Sequence, residues 1–246
     1  MSSSTATAII NRRLPILPPG RVGKDKRKGP HSTDSAVVTQ YGQKSILLTV
    51  SNFFSQEECQ AFILWGQSCG FTECDEPPTR DTAHRKQGRL GYDDIDNFIS
   101  NAVFSRVSPF LPPSIDGSSP VACSRNIRMY RYRPGDSFGR HIDESNRDPE
   151  SSSNSKLTLL IYLNGGCKDA SEVTPGEEGI VEGAPALEGG ETKFFKALTS
   201  PEPIVSIVPV AGTLLLHGHG HRCMVHEAAP VLSGCKYVLR TDVMYR

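Results

Sequence analysis

The chain has no apolar run near the roughly 20 residues that span a bilayer, so no membrane span is expected. It also lacks net charge. Its 27 basic and 27 acidic side chains cancel, leaving no global field to draw in an anionic membrane or nucleic acid, which makes nucleic acid an unlikely partner. None of the seven cysteines (Cys59, Cys69, Cys74, Cys123, Cys167, Cys223, Cys235) stands in a C-x-x-C pair. Neither a disulfide framework nor a zinc cluster is indicated, and reduced thiols in an intracellular compartment are the expectation. A secretory signal is missing too, because no compact apolar stretch opens the chain.

What is present is 246 residues with 37% hydrophobic content, 22 Gly and 18 Pro, which suits one large globular domain rich in turns. Residues 1–44 show neither helical nor strand period and are read as a disordered or targeting tail. The acid-poor start, Met1 to Arg13, has the composition of an organelle transit peptide. Lys24-Asp25-Lys26-Arg27-Lys28 has that of a nuclear localisation patch. Cytoplasm, nucleus and organelle import all stay open.

Residues 45–246 carry the fold. A strand is expected over 46–50, then a capping box in Ser55-Gln56-Glu57-Glu58 that starts a helix running to about Gly70. Residues 74–92 are polar and read as a surface loop whose charges (Arg80, His84, Arg85, Lys86, Arg89) could border a substrate groove. Residues 93–111 carry the best helical period, ended by Pro112-Pro113. From 126 onward the period is that of sheet. Strands are expected over 126–133, with Tyr130 and Tyr132 on one face, and over 157–163, 189–195, 204–210, 213–217 and 236–245. A flexible insert is expected over about 167–188. Helices followed by many short strands give an α+β domain with a sandwich or barrel core.

The chemistry centres on Arg140-His141-Ile142-Asp143. A His and an Asp two apart on extended chain share a face and can grip one ion. A second His from elsewhere would complete the 2-His-1-carboxylate triad of non-haem Fe(II) oxygenases. Four histidines follow: His217, His219, His221 and His226. The first three alternate as a solvated tract does, while His226 is followed by Pro230-Val231, Gly234 and Lys236.

The order H-x-D, then Gly189-Gly190-Glu191-Thr192, then His226 with this sequel resembles the 2-oxoglutarate- and Fe(II)-dependent dioxygenases of the prolyl 4-hydroxylase type. The similarity begins near Val50 and runs to Tyr245. It implies a double-stranded β-helix (jelly-roll) core packed against N-terminal helices, with Fe(II) on His141, Asp143 and His226. It further implies 2-oxoglutarate as cosubstrate, dioxygen, and ascorbate as reductant. The cation for the distal carboxylate falls at Lys236, ten residues after the second His. Arg240 shares Lys236's strand face and is a second candidate. Tyr132 and Tyr162 stand where tyrosines contact 2-oxoglutarate in such hydroxylases, and Thr192 reads as structural.

The expected substrate is a peptide or protein side chain, with proline foremost. Competing readings keep the cofactors but turn to a small molecule or a nucleic-acid base. Another reading makes the domain a non-catalytic, metal-responsive binding module.

Overall fold

The structure, a computed structural model, describes residues 38–41, 46–166 and 185–246. Most of the expected 167–188 insert therefore lies outside the described residues. Of the tail expected over 1–44, the described residues include Val38–Gln40, a strand that pairs antiparallel with Leu47–Val50; the remainder lies outside the described residues apart from Tyr41.

The sheet that builds the core runs, neighbour to neighbour, through Leu47–Val50, Leu214–Gly218, Ser153–Tyr162, Lys236–Tyr245 and Asn126–Tyr132. It then continues through Arg85–Asp93, Ser137–His141, Val225–Ala228, Thr192–Phe195 and Val205–Ile207. These neighbours are antiparallel. The sheet curls until its first and last halves face each other across a cavity. This is the expected α+β architecture with a jelly-roll core.

Alternation along each strand sorts side chains between two environments. On Ser153–Tyr162, Leu157, Leu159 and Ile161 point outward into a dry core shared with Ile127, Met129, Leu239 and Val243. Two helices close that core, α1 (Gln56–Cys69) and α2 (Phe98–Val107), through Phe62, Ile99 and Val103. Each such side chain stabilises by about 1.5–3 kcal/mol when taken from water, so the outer face is where the fold is secured. The inward set, Thr158, Leu160 and Tyr162, lines the cavity.

The capping box forms as expected: Ser55 Oγ accepts from the Glu58 N–H and Glu58 accepts from the Ser55 N–H. Two expectations fail. Residues 74–92 are a hairpin, Thr72–Glu76 with Arg85–Asp93, and its second strand bridges the two halves of the sheet. Its apolar content is low because Arg131 packs over Phe71 beside Gly88, a charged side chain covering what Leu or Val usually covers. The second helix is shorter than 93–111. Asp94 is buried and accepts from the N–H groups of Phe98 and Ser100, so the helix starts beyond it, at Phe98, with Ile95 left exposed.

Candidate functional site

Strand register decides which residues meet. His226 on Val225–Ala228 stands opposite His141 on Ser137–His141. Asp143 follows one turn of extended chain later. The ligand atoms of His141, Asp143 and His226 all lie within 4.8 Å of one another. His141 Nε2 is 3.6 Å from Asp143 Oδ1, and His226 Nε2 is 3.9 Å from Asp143 Oδ2. The sequence-expected triad is thus brought together.

The donor set suits a divalent ion. Each ring's Nδ1 donates to a carbonyl, His141 to Gly139 (2.8 Å) and His226 to Met224 (3.0 Å). That fixes the tautomer with a free Nε2 lone pair aimed inward. Burial pushes His141 down to about 3 and lowers His226, so both rings are neutral at physiological pH. Phe138 stacks on His141 at 3.7 Å between centroids and holds its plane. For Asp143, burial alone would raise the carboxyl. The Arg240 guanidinium beside it outweighs burial and holds it well below the usual carboxylate range. Two neutral imidazoles and one carboxylate on one side of a cavity are what a facial Fe(II) site requires.

Arg240 is the main departure from expectation within the site. Its Nη2 donates to Asp143 Oδ2 at 3.0 Å, and Thr158 Oγ1 donates to the same oxygen at 2.6 Å. Asp242 Oδ1 flanks the guanidinium at 3.6 Å. Arg240 thus sits at the metal end with its charge already answered.

Lys236 lies at the other end, opposite Tyr132 in the strand register. It is 2% exposed, and its Nζ donates to Gly190 O at a short 2.5 Å. No ion pair among the described residues includes it. Burial pushes it down to about 7, against a weak opposing pull from Glu191. The rings of Tyr132 and Tyr162 face its ammonium at 5.2 and 5.5 Å. Tyr162 donates its hydroxyl to Thr192 Oγ1 at 2.7 Å, which gives Thr192 its structural role. Gly190 has φ +71°, and a Cβ there would stand 3.1 Å from the lysine stem, so glycine lets the carbonyl approach the ammonium.

Both ends line one cavity with Tyr130, Leu160 and Val238 between them. An ion at one end and a lone cation at the other fit a dicarboxylate that chelates metal with its first carboxylate and reaches the ammonium with its second.

Two of the alternating histidines are not solvated. His217 and His219 are buried; His219 accepts or donates between Thr158 and Ser155. His217 Nε2 lies 3.7 Å from Asp143 Oδ2 without a hydrogen-bond partner. The signal for His217 was in the strand expected over 213–217, where it shares the inward parity of Leu215. Thr158 and Cys223, both touching Asp143, carried no motif.

Comparison with known proteins agrees with this geometry. Residues 127–241 match the family profile of the 2OG-Fe(II) oxygenase superfamily. A viral collagen prolyl hydroxylase from Paramecium Bursaria Chlorella virus-1, solved with 2OG, superposes with TM-score 0.52 at 19% identity, covering 82% of this chain and 97% of that one. A Trichoplax adhaerens prolyl hydroxylase, solved with a hypoxia inducible factor oxygen degradation domain peptide fragment, gives 0.51 at 17% identity, covering 80% and 82%. A Burkholderia pseudomallei oxidoreductase of the 2OG-Fe(II) oxygenase family gives 0.50 at 14%, covering 81% and 84%. At these identities the likeness speaks for the fold. No curated protein matches the chain.

Proposed function

We propose that this chain, a 2OG-Fe(II) oxygenase by its family match over residues 127–241, hydroxylates a peptide or protein side chain, with proline the leading residue. The observation that carries the reading is the buried Lys236 ammonium, without a carboxylate partner, across one cavity from three convergent metal donors. Burying an unpaired charge is unfavourable by several kcal/mol, so a fold that retains one has a use for it.

His141, Asp143 and His226 would hold the ion by Nε2, a carboxylate oxygen and Nε2. When bound, ferrous iron with 2-oxoglutarate and dioxygen supplies the oxidant that places one oxygen atom on a substrate carbon, releasing succinate and carbon dioxide. Lys236 anchors the distal carboxylate, and Tyr132 and Tyr162 wall that end of the cavity. Arg240 and Thr158 hold the outer oxygen of Asp143, which leaves its other oxygen for the metal and keeps the carboxylate ionised. Phe138 and Phe194, the latter 5.5 Å from the His226 ring, keep water from the imidazole faces. Arg85, stacked on Phe138 at 4.3 Å, borders the metal end from the hairpin, which makes that edge the approach for an extended peptide. The peptide-bound Trichoplax enzyme, similar in fold, supports this class of substrate. Ascorbate is the reductant proposed to keep the iron ferrous.

Among the described residues, no helix is long and apolar enough to cross a membrane. The deciding experiment incubates iron-loaded protein with 2-oxoglutarate and a proline-containing peptide library. A gain of one oxygen atom on a peptide, matched by succinate, supports the reading. Succinate without peptide oxidation moves the substrate to a small molecule or a nucleic-acid base. Absence of both, with no rise in melting temperature on adding iron and 2-oxoglutarate, refutes it.

A further inference from the structure

Beside the iron triad, and sharing one ring with it, stands a second set of ligands: His217, Cys223 and His226. Cys223 Sγ lies 3.9 Å from His217 Nδ1 and 3.8 Å from His226 Nδ1. Bonds of about 2.3 Å to sulfur and 2.0–2.1 Å to nitrogen, at a tetrahedral angle, put such atoms about 3.6 Å apart. Each sulfur–nitrogen pair is therefore within a few tenths of an ångström of ligation, and the three ligand atoms all lie within 4.8 Å of one another. Burial pushes the Cys223 thiol up to about 12, against the Asp143 N–H that donates to the sulfur at 3.2 Å, so it is the metal that must displace the thiol proton. His217 is 1% exposed; its Nδ1, the nitrogen facing Cys223, also lies 3.3 Å from Gly218 O, and its ring packs against Phe194 and His226.

We propose that His217, Cys223 and His226 form a soft-metal site, for Zn(II) or a similar thiophilic ion, whose occupation excludes iron from the neighbouring triad. The two sites use opposite nitrogens of His226: Nε2 faces Asp143, and Nδ1 faces Cys223. A neutral imidazole has a single lone pair, so it serves one site at a time. The soft ion takes both Nδ1 lone pairs in place of the hydrogen bonds from His226 to Met224 and from His217 to Gly218, each ring proton moves to Nε2, and the thiol proton leaves to solvent as the sulfur–metal bond forms. Thiolate selects zinc over ferrous iron, and zinc also binds nitrogen sites more tightly. The exclusion rests on the iron assignment above; the thiolate site does not.

Co(II) is the optical probe. Reduced full-length apoprotein is titrated with Co(II), and thiolate-to-cobalt charge transfer in the near ultraviolet is recorded. The band is expected in the wild type and in His141→Ala, where the iron triad is broken. It is expected to vanish in Cys223→Ser and in His217→Gln, with Zn(II) affinity in Cys223→Ser falling at least about tenfold. Zn(II) should release bound Fe(II) from the wild type at a concentration at least about tenfold lower than from Cys223→Ser, where only direct competition for the triad remains. No band in the wild type, or an undiminished band in both Cys223→Ser and His217→Gln, overturns the site. Zinc and iron bound together on the wild type overturn the exclusion. A wild type that shows the band but never holds Fe(II) would instead sink the iron reading and leave the thiolate site standing.

Discussion

The two ends of the cavity treat positive charge in opposite ways. Lys236 and Arg240 lie four residues apart on the same face of one strand, the first buried and the second largely so. At the metal end, Arg240 is paired with Asp143 and flanked by Asp242, and the Asp143 charge holds its guanidinium more firmly protonated despite burial. At the far end, Lys236 has only a carbonyl, and burial pulls it down to about 7. One end is electrostatically complete before any ligand arrives. The other is waiting for an anion. The difference separates a residue that orients a ligand from one that recognises a molecule, although charge sign and strand parity are the same.

The comparison is broken most severely at the metal end. His141→Ala should cut turnover to below about one thousandth, since the ion and not a protein base supplies the reactivity. Its melting temperature should stay near that of the wild type. Asp143→Ala should abolish turnover equally yet also destabilise, because it leaves the largely buried Arg240 with only the longer carboxylate contact to Asp242. The loss is expected at about 3–5 kcal/mol, or on the order of 10 °C for a chain of this size. Thermal melts of the two apoproteins decide it; equal melting temperatures would mean that Arg240 does not depend on Asp143.

The far end should answer the other way round. Lys236→Ala removes an uncompensated charge, so the apoprotein should melt no lower than wild type after allowance for the lost stem packing. The 2-oxoglutarate KM should rise about 100-fold, the equivalent of about 2.7 kcal/mol for one buried charged hydrogen bond. Iron affinity should hardly move. Arg240→Ala should do the reverse, weakening iron and destabilising the fold. A 2-oxoglutarate defect in Arg240→Ala larger than that in Lys236→Ala would exchange the two roles.

How much of this was legible in sequence follows from the same contrast. His141, Asp143, His226 and Lys236 were readable because their order and spacing are set by strands that must meet in one register. The capping box at Ser55 was readable because it is local. The Arg240–Asp143 pair was not, since parity gave the face of residue 240 but not the depth at which it meets a loop nearly 100 residues away. His217 stood in the strand expected over 213–217, yet its alternation with His219 and His221 had the composition of a solvated tract. Its pairing opposite Thr158 places it on the inward face. The hairpin over 72–93 was missed because a strand whose buried surface is covered by Arg131 and a glycine leaves no apolar alternation to detect.

A smaller effect tests the lone cation by pH. The ligand-free lysine titrates near 7 rather than at 10.5, and binding a dicarboxylate requires its charged form. Affinity for 2-oxoglutarate should therefore fall about tenfold per unit above pH 7. Apoprotein stability should change with the opposite sign. Between pH 7 and 10.5 the unfolded chain binds the proton that the folded chain has lost, so this residue's contribution to stability rises with pH. His141, at about 3, stays neutral throughout that window. Calorimetric binding at pH 7.0, 8.0 and 9.0 measures the first slope. A flat profile would show that Lys236 already carries a full charge and that the two ends are more alike than their partners suggest.

The smallest expected effect concerns how the far end is kept in shape. Thr192 accepts the Tyr162 hydroxyl inside a wall with no exposure. Thr192→Val keeps the volume and removes the acceptor, leaving a buried phenol to find another partner. An unmet buried donor costs about 1–3 kcal/mol, but here the ring can turn its hydroxyl toward a ligand carboxylate. The apoprotein should therefore lose stability while the 2-oxoglutarate complex loses less, so the melting-temperature gain on adding 2-oxoglutarate grows and KM changes only by about two- to fivefold. If the variant loses the same stability with and without 2-oxoglutarate, the Tyr162 hydroxyl never reaches the ligand, and Lys236 alone answers the distal carboxylate.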